Sequence, residues 1–142
     1  MFLHEGAQLK RLNNAASAAQ TALGSTFARA GFDRCLIFAA LGDVTDTSVL
    51  GLAVSSGNES NGSDAVAISG ASTAFTAGAT SADNGLLAVD VALGDKDYIT
   101  WALTRTTANA VVDGVFALLY HSRSLPVSQS NLLATIGKGV AV

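Results

Sequence analysis

Charge is scarce in this chain. Asp, Glu, Lys and Arg together make up 13% of the 142 residues, against a usual share of about 25%. Aromatics are only 6%, and cysteine, proline and tryptophan occur once each. Each shortage excludes something. A single cysteine, Cys35, rules out an intrachain disulfide framework; within Cys35-Leu-Ile-Phe it reads as a small buried hydrophobe. Eight scattered Lys and Arg, a net charge of −3 and a pI near 5.1 exclude a phosphate-binding surface, because nucleic-acid affinity rests on clustered positive charge. Long apolar runs are missing as well. The longest covers residues 35–41, far short of the about 20 residues that span a bilayer as a helix, and there is room for too few strands to form a membrane barrel. Residues 1–12 mix apolar residues with Glu5, Lys10 and Arg11 and do not read as a basic-then-apolar leader.

What remains is an apolar, small-residue chain: 49% hydrophobic with a mean hydropathy of +0.40. A monomer with so few charges has difficulty covering its surface with polar groups. With membranes set aside, burial against partner chains accounts for the composition. At this length one domain is expected, with a core that needs no staples.

The patterning is that of strands. In residues 98–105, Ile99, Trp101 and Leu103 share one face while Thr100, Ala102 and Thr104 share the other; a period of two does not fit a helix. Residues 86–93 alternate in the same way. Residues 34–41 and 110–120 are apolar on nearly both faces, as a central strand or one covered by a partner would be. Residues 48–55 and 65–69 are further strands. Residues 14–23 are alanine-rich, which favours helix, but show no apolar stripe of period 3.6 and are read as extended. Between these runs lie turn-formers: Gly42-Asp43, the stretch 57–64 with Asn61-Gly62 at its tip, Asp83-Asn84-Gly85, Gly94-Asp95 and residues 106–109. Seven or eight strands at this spacing, without helical crossovers, predict an all-β fold: a single antiparallel β-sandwich or barrel-like domain with extended terminal arms. The expected division is an N-terminal arm over 1–11, the domain over 12–127, and a C-terminal tail over 128–142.

Catalytic sets are thin. His4 and His121 lie far apart, no nucleophile elbow precedes His121, and one Cys with two His cannot assemble a zinc site. Asp43 with Asp46, and Asp95 with Asp97, could lend oxygens to calcium, yet Asp in short turns also caps its own backbone. Glycines form neither a dinucleotide fingerprint nor a phosphate loop. Asp90 reads as a solvent-facing strand residue. The expectation is a protein that is no enzyme and has no cofactor and no resident metal.

Three segments resemble stretches of small structural proteins of tailed-bacteriophage virions, of the capsid decoration or cement type. They are residues 42–50 (GDVTDTSVL), residues 97–105 (DYITWALTR) followed by 110–120, and residues 124–129 (SLPVSQ). The likeness covers roughly residues 30–130. It implies a virion protein on the capsid surface, present in the host cytoplasm during assembly, that binds the major capsid protein at capsomer junctions as a dimer or trimer. The residues expected at interfaces, from the apolar positions of the arm and tail, are Phe2, Leu3, Leu9, Leu125, Pro126, Val127, Leu132 and Leu133. Alternatives are another virion component (tail, connector or head fibre) and a carbohydrate-binding sandwich, which would need exposed aromatics.

Overall fold

A computed structural model describes residues 3–129, 132–134 and 137. After a single helical turn, α1 (Leu3–Gly6), come nine strands: β1 (Ala7–Asn13), β2 (Ala16–Ala19), β3 (Leu23–Ala28), β4 (Phe32–Val44), β5 (Val49–Gly57), β6 (Val66–Thr76), β7 (Leu86–Ala92), β8 (Tyr98–Thr106) and β9 (Ala110–Ser122). They form two antiparallel sheets. Sheet I has the order β1-β9-β4-β7, with β2 also on β9, and sheet II the order β3-β8-β5-β6. The sheets pack face to face as a β-sandwich. No helix among the described residues is long and apolar enough to cross a membrane.

The alternation seen in the sequence is the alternation of burial. Ile99, Trp101 and Leu103 of β8 are at most 1% exposed and meet Leu50, Leu52 and Val54 of β5, also at most 1%. From sheet I, Cys35, Ile37 and Ala39 of β4, Val115, Ala117 and Leu119 of β9, and Leu87, Val89 and Val91 of β7 complete the core. Burial pushes the Cys35 thiol up to about 12, which keeps it protonated and unreactive.

Several boundaries differ from the sequence reading. Residues 7–11, read as arm, belong to the sheet: Ala7 pairs with Tyr120, Leu9 with Leu118 and Arg11 with Phe116. Long-range backbone pairing with β9 makes this strand, and a mixed sequence carries no local sign of it. Residues 14–23 are extended but broken, with β2 ending at Ala19 and β3 beginning at Leu23. The strand read over 65–69 runs on past Gly70 to Thr76 as β6, and Phe75 in its second half is 40% exposed. Asn61-Gly62 lies in the loop joining the β5–β6 hairpin, where Gly62 takes φ +74 and Asn61 Oδ1 accepts the Ser63 amide at 2.9 Å.

Among the described residues two charged residues are buried, Arg29 at 5% exposure and Arg105, and the second sits inside this frame. Arg105 is 2% exposed. Its Nε donates to Thr21 O at 2.8 Å, and its Nη1 donates to Ser17 O at 2.9 Å and Ala110 O at 2.7 Å. The guanidinium therefore fastens β2 and the β2–β3 connection to the start of β9.

Candidate interface for a partner protein

The outer face of sheet I follows directly from its register. Positions that alternate with the core point away from it, and the pairings align them in rows. One row is Leu9, Leu118, Leu36 and Asp90; the next is Arg11, Phe116, Phe38 and Ala88; Gly114, Ala40 and Leu86 continue the pattern. The Phe38 and Phe116 rings lie 5.5 Å apart between centroids at 30°, an offset arrangement that stabilises the pair. The Arg11 guanidinium covers Phe116 at 5.6 Å. At the far edge Tyr120 Oη donates to Asp90 at 2.7 and 2.9 Å, and that hydrogen bond raises the Tyr120 pKa. So the only carboxylate among these outward rows is already engaged. Apart from Arg11 and the exposed Arg34 the face is mainly aliphatic and aromatic, with Leu36, Phe38, Phe116 and Leu118 half-buried and Leu86 exposed.

Residues 4–9 and 127–129 meet beside this face. Val127 N donates to Glu5 O at 3.0 Å, and Gln8 Nε2 to Ser128 O at 2.9 Å. Gln129 makes the central connection. Its Oε1 accepts the Leu9 amide at 3.1 Å, while its Nε2 donates to Ala7 O and, at 2.9 Å, to His4 O. A side-chain amide thus supplies β1 with the donor and acceptor that a neighbouring strand would give, which blunts this edge. Leu132 then joins Leu9, Arg11, Phe38 and Phe116 in lining a shallow apolar groove. Gln129→Ala should loosen the tail. The Leu9 amide should then exchange hydrogen about fivefold faster or more, as expected for losing hydrogen bonds worth ~1 kcal/mol each. Hydrogen-exchange mass spectrometry of the amino-terminal peptide checks this.

The positions expected at an interface fall into three groups. Leu3 (70%), Leu9 (43%), Leu125 (56%) and Leu133 (107%) are exposed large hydrophobics in or near the segments that Gln129 connects, and Pro126 is exposed among them. Val127 packs against the core and Leu132 lines the groove. Phe2 lies outside the described residues. Absent from the sequence reading were Leu36, Phe38, Phe116 and Leu118, which carry the apolar face, and Gln129, which holds the tail to it. The doubly apolar pattern of residues 34–41 and 110–120 was the available signal for the first four.

At one end of the sandwich Asp33 gathers basic side chains. Arg123 Nη2 lies at 2.9 Å, Arg29 Nη2 at 3.1 Å and His121 Nδ1 at 3.5 Å. The Arg123 hydrogen bond, more than the other contacts, holds the Asp33 carboxyl below the usual carboxylate range. In the β5–β6 loop, Asp64 is lowered by the amides of Asn58 (2.8 Å) and Glu59 (3.0 Å). For a depressed carboxylate the stabilisation is complete above the unfolded pKa of about 3.9 and is lost as pH falls through the lower folded value. Stability should therefore fall on acidification below about pH 4. Replacing both residues (Asp33→Asn with Asp64→Asn) should flatten that fall in urea titrations.

Asp46 of the first Asp turn, and Asp83, bond to backbone amides. Asp46 Oδ1 accepts the amides of Thr47 and Ala79 at 2.8 and 2.9 Å, and Asp83 Oδ1 accepts that of Val44 at 2.9 Å. Among the described residues no three His, Cys, Asp or Glu side chains converge to hold a metal. Trp101, fully buried and donating to Ser25 Oγ at 2.7 Å, offers no sugar-stacking platform.

The geometry defines an antiparallel β-sandwich with one largely apolar outer face bordered by the bonded segments 4–9 and 127–129. No family model matches the chain, and none of the curated proteins does. Among solved structures it is similar to a chain from Desmodium yellow mottle tymovirus: 8% identical, covering 90% of this chain and 92% of that one, with a TM-score of 0.34. At that level of superposition the likeness assigns neither fold nor function.

Proposed function

We propose that this protein is a structural component of a tailed-bacteriophage virion that decorates the capsid and stabilises it by packing across capsomer junctions. The carrying observation is the outer face of sheet I, where Leu36, Phe38, Phe116 and Leu118 form an apolar surface on a strand-paired, rigid sheet. Beside it lie the bonded segments, with Leu3, Leu125 and Leu133 exposed near them. Surfaces of this kind mark protein–protein contacts. The major capsid protein is the proposed partner, and the reading involves no catalysis, cofactor or nucleic acid. Apolar contact contributes about 25 cal/mol per Å² before ordering costs. A sheet that is already ordered loses little entropy on docking, and many copies on one shell add their modest contributions. The virion assignment itself is supported by the resemblance of residues 42–50, 97–120 and 124–129 to phage decoration proteins. Purified protein should bind mature, expanded capsids stoichiometrically and raise their melting temperature. An absence of both effects would count against the proposal.

A further inference from the structure

The four sheet edges are not protected alike: two carry charge, while β3 and β6 carry neither charge nor proline, and of these β3 is only six residues long (Leu23–Ala28). The β1 edge carries Lys10 and Arg11 and is capped by Gln129. The β7 edge carries Asp90. The β6 edge, eleven residues from Val66 to Thr76, contains no charged residue and no proline, although charge and proline are the usual protections against strand pairing. Its one irregularity is a bulge near Gly70 (φ +78), where the register with β5 shifts between Ala53 and Ser55. Beyond the bulge, residues 72–76 pair regularly with β5.

The direction of the unpaired groups follows from the ladder. Ala77 N donates to Ser48 O at 2.8 Å, in the same register as the Thr76–Val49 pair. In an antiparallel ladder the residues bonded to the neighbour alternate with those facing away. Thr73 and Phe75 therefore bond to β5, and Ser72, Ala74 and Thr76 present their N–H and C=O groups to the free edge. Ser72, Ala74, Phe75 and Thr76 are all exposed. Phe75, on the core-side face of this strand opposite Leu50, is an aromatic left 40% open at the sandwich margin.

We infer that residues 72–76 of β6 pair antiparallel with the same residues of a second copy of this chain, across a two-fold axis at Ala74. In that register Ala74 bonds to the second copy's Ala74, and Ser72 to its Thr76, so every outward backbone group of the segment is used. Thr73 comes to lie beside the second copy's Phe75, which covers the exposed ring. No like charges oppose each other, because the segment has none. A strand whose edge reads onto itself and offers no charge to select an unlike partner fits a second copy best. Sheet II then becomes continuous through two subunits, and the outer face of sheet I stays free on both. The inference does not depend on what that face binds.

The test is sedimentation equilibrium on the full chain, without any particle. Wild type should be a dimer. Ala74→Pro removes a donor that faces away from β5, so no intrachain ladder bond is lost, and it should yield monomer at concentrations where wild type is dimeric. Ala74→Lys and Ala74→Glu, each on an exposed position, should each yield monomer as well, since like charges would face each other at about 5 Å. An equimolar mixture of the Lys and Glu variants should restore a dimer, which happens only if residue 74 faces itself. A monomeric wild type up to its solubility limit would overturn the inference. So would an oligomer indifferent to all three substitutions, or one lost instead on Thr26→Lys at the β3 edge.

Discussion

Arg105→Ala should lower the folding stability by more than ~3 kcal/mol, the largest effect of any single polar substitution in the chain. Arg105 sits at the core-side position two residues after Leu103, in the row of Ile99 and Trp101, and is 2% exposed. Desolvation lowers its pKa. No carboxylate among the described residues pairs with Arg105, and the arginines that do form ion pairs, Arg29 and Arg123, do so with Asp33. Three backbone carbonyls therefore solvate the Arg105 charge, those of Ser17, Thr21 and Ala110. Truncation removes charge-assisted hydrogen bonds of about 1.5–3 kcal/mol and leaves buried acceptors unpaired. It also frees β2, a four-residue strand whose pairing with β9 is irregular. A drop in melting temperature of about 10 °C follows for a chain of this size. Buried charges can be replaced by apolar residues at little cost in some proteins, so Arg105→Met is the discriminating variant. It preserves bulk but not donors, and should recover less than half of the loss in urea unfolding. Recovery to wild type would mean that the guanidinium only fills space.

Phe38→Glu and Phe116→Glu should each reduce binding to expanded capsids by about a hundredfold or more, the scale of an interface hot spot. Both rings point away from the core on neighbouring central strands, so the fold can accept the change. The expected cost in stability is about 0.5–1.5 kcal/mol, for loss of the aromatic pair. Binding would suffer far more, since a carboxylate at the centre of an apolar contact must be desolvated without a partner. Equilibrium binding to purified capsids, with urea unfolding of the same variants in parallel, separates the two effects. Unchanged binding with either variant would remove the outer face of sheet I from the interface.

The inner strands of both sheets were legible from the sequence because burial alternates where side chains alternate. Residues 98–105 showed it plainly, and β8 carries it. The doubly apolar runs at 34–41 and 110–120 showed central position, and β4 and β9 are neighbours inside sheet I. The same pattern held a second message, that the outer face is apolar as well, and Phe38 and Phe116 are its products. Arg105 could have been placed by parity with Leu103. Other features carried no local mark. The pairing of β1 with β9 joins residues more than a hundred positions apart. The capping of Leu9 by Gln129 spans 120 positions. The second half of β6, after Gly70, hid among alanine, serine and threonine, residue types that mark neither face of a strand.

The most direct test of the central claim is an electron-microscopy map of the intact particle. The account predicts ordered density for this β-sandwich on the outer shell, with Leu36, Phe38, Phe116 and Leu118 and the bonded segments around Gln129 seated against the capsid protein. A map with the outer face of sheet I open to solvent, or with this protein absent from the shell, would contradict it.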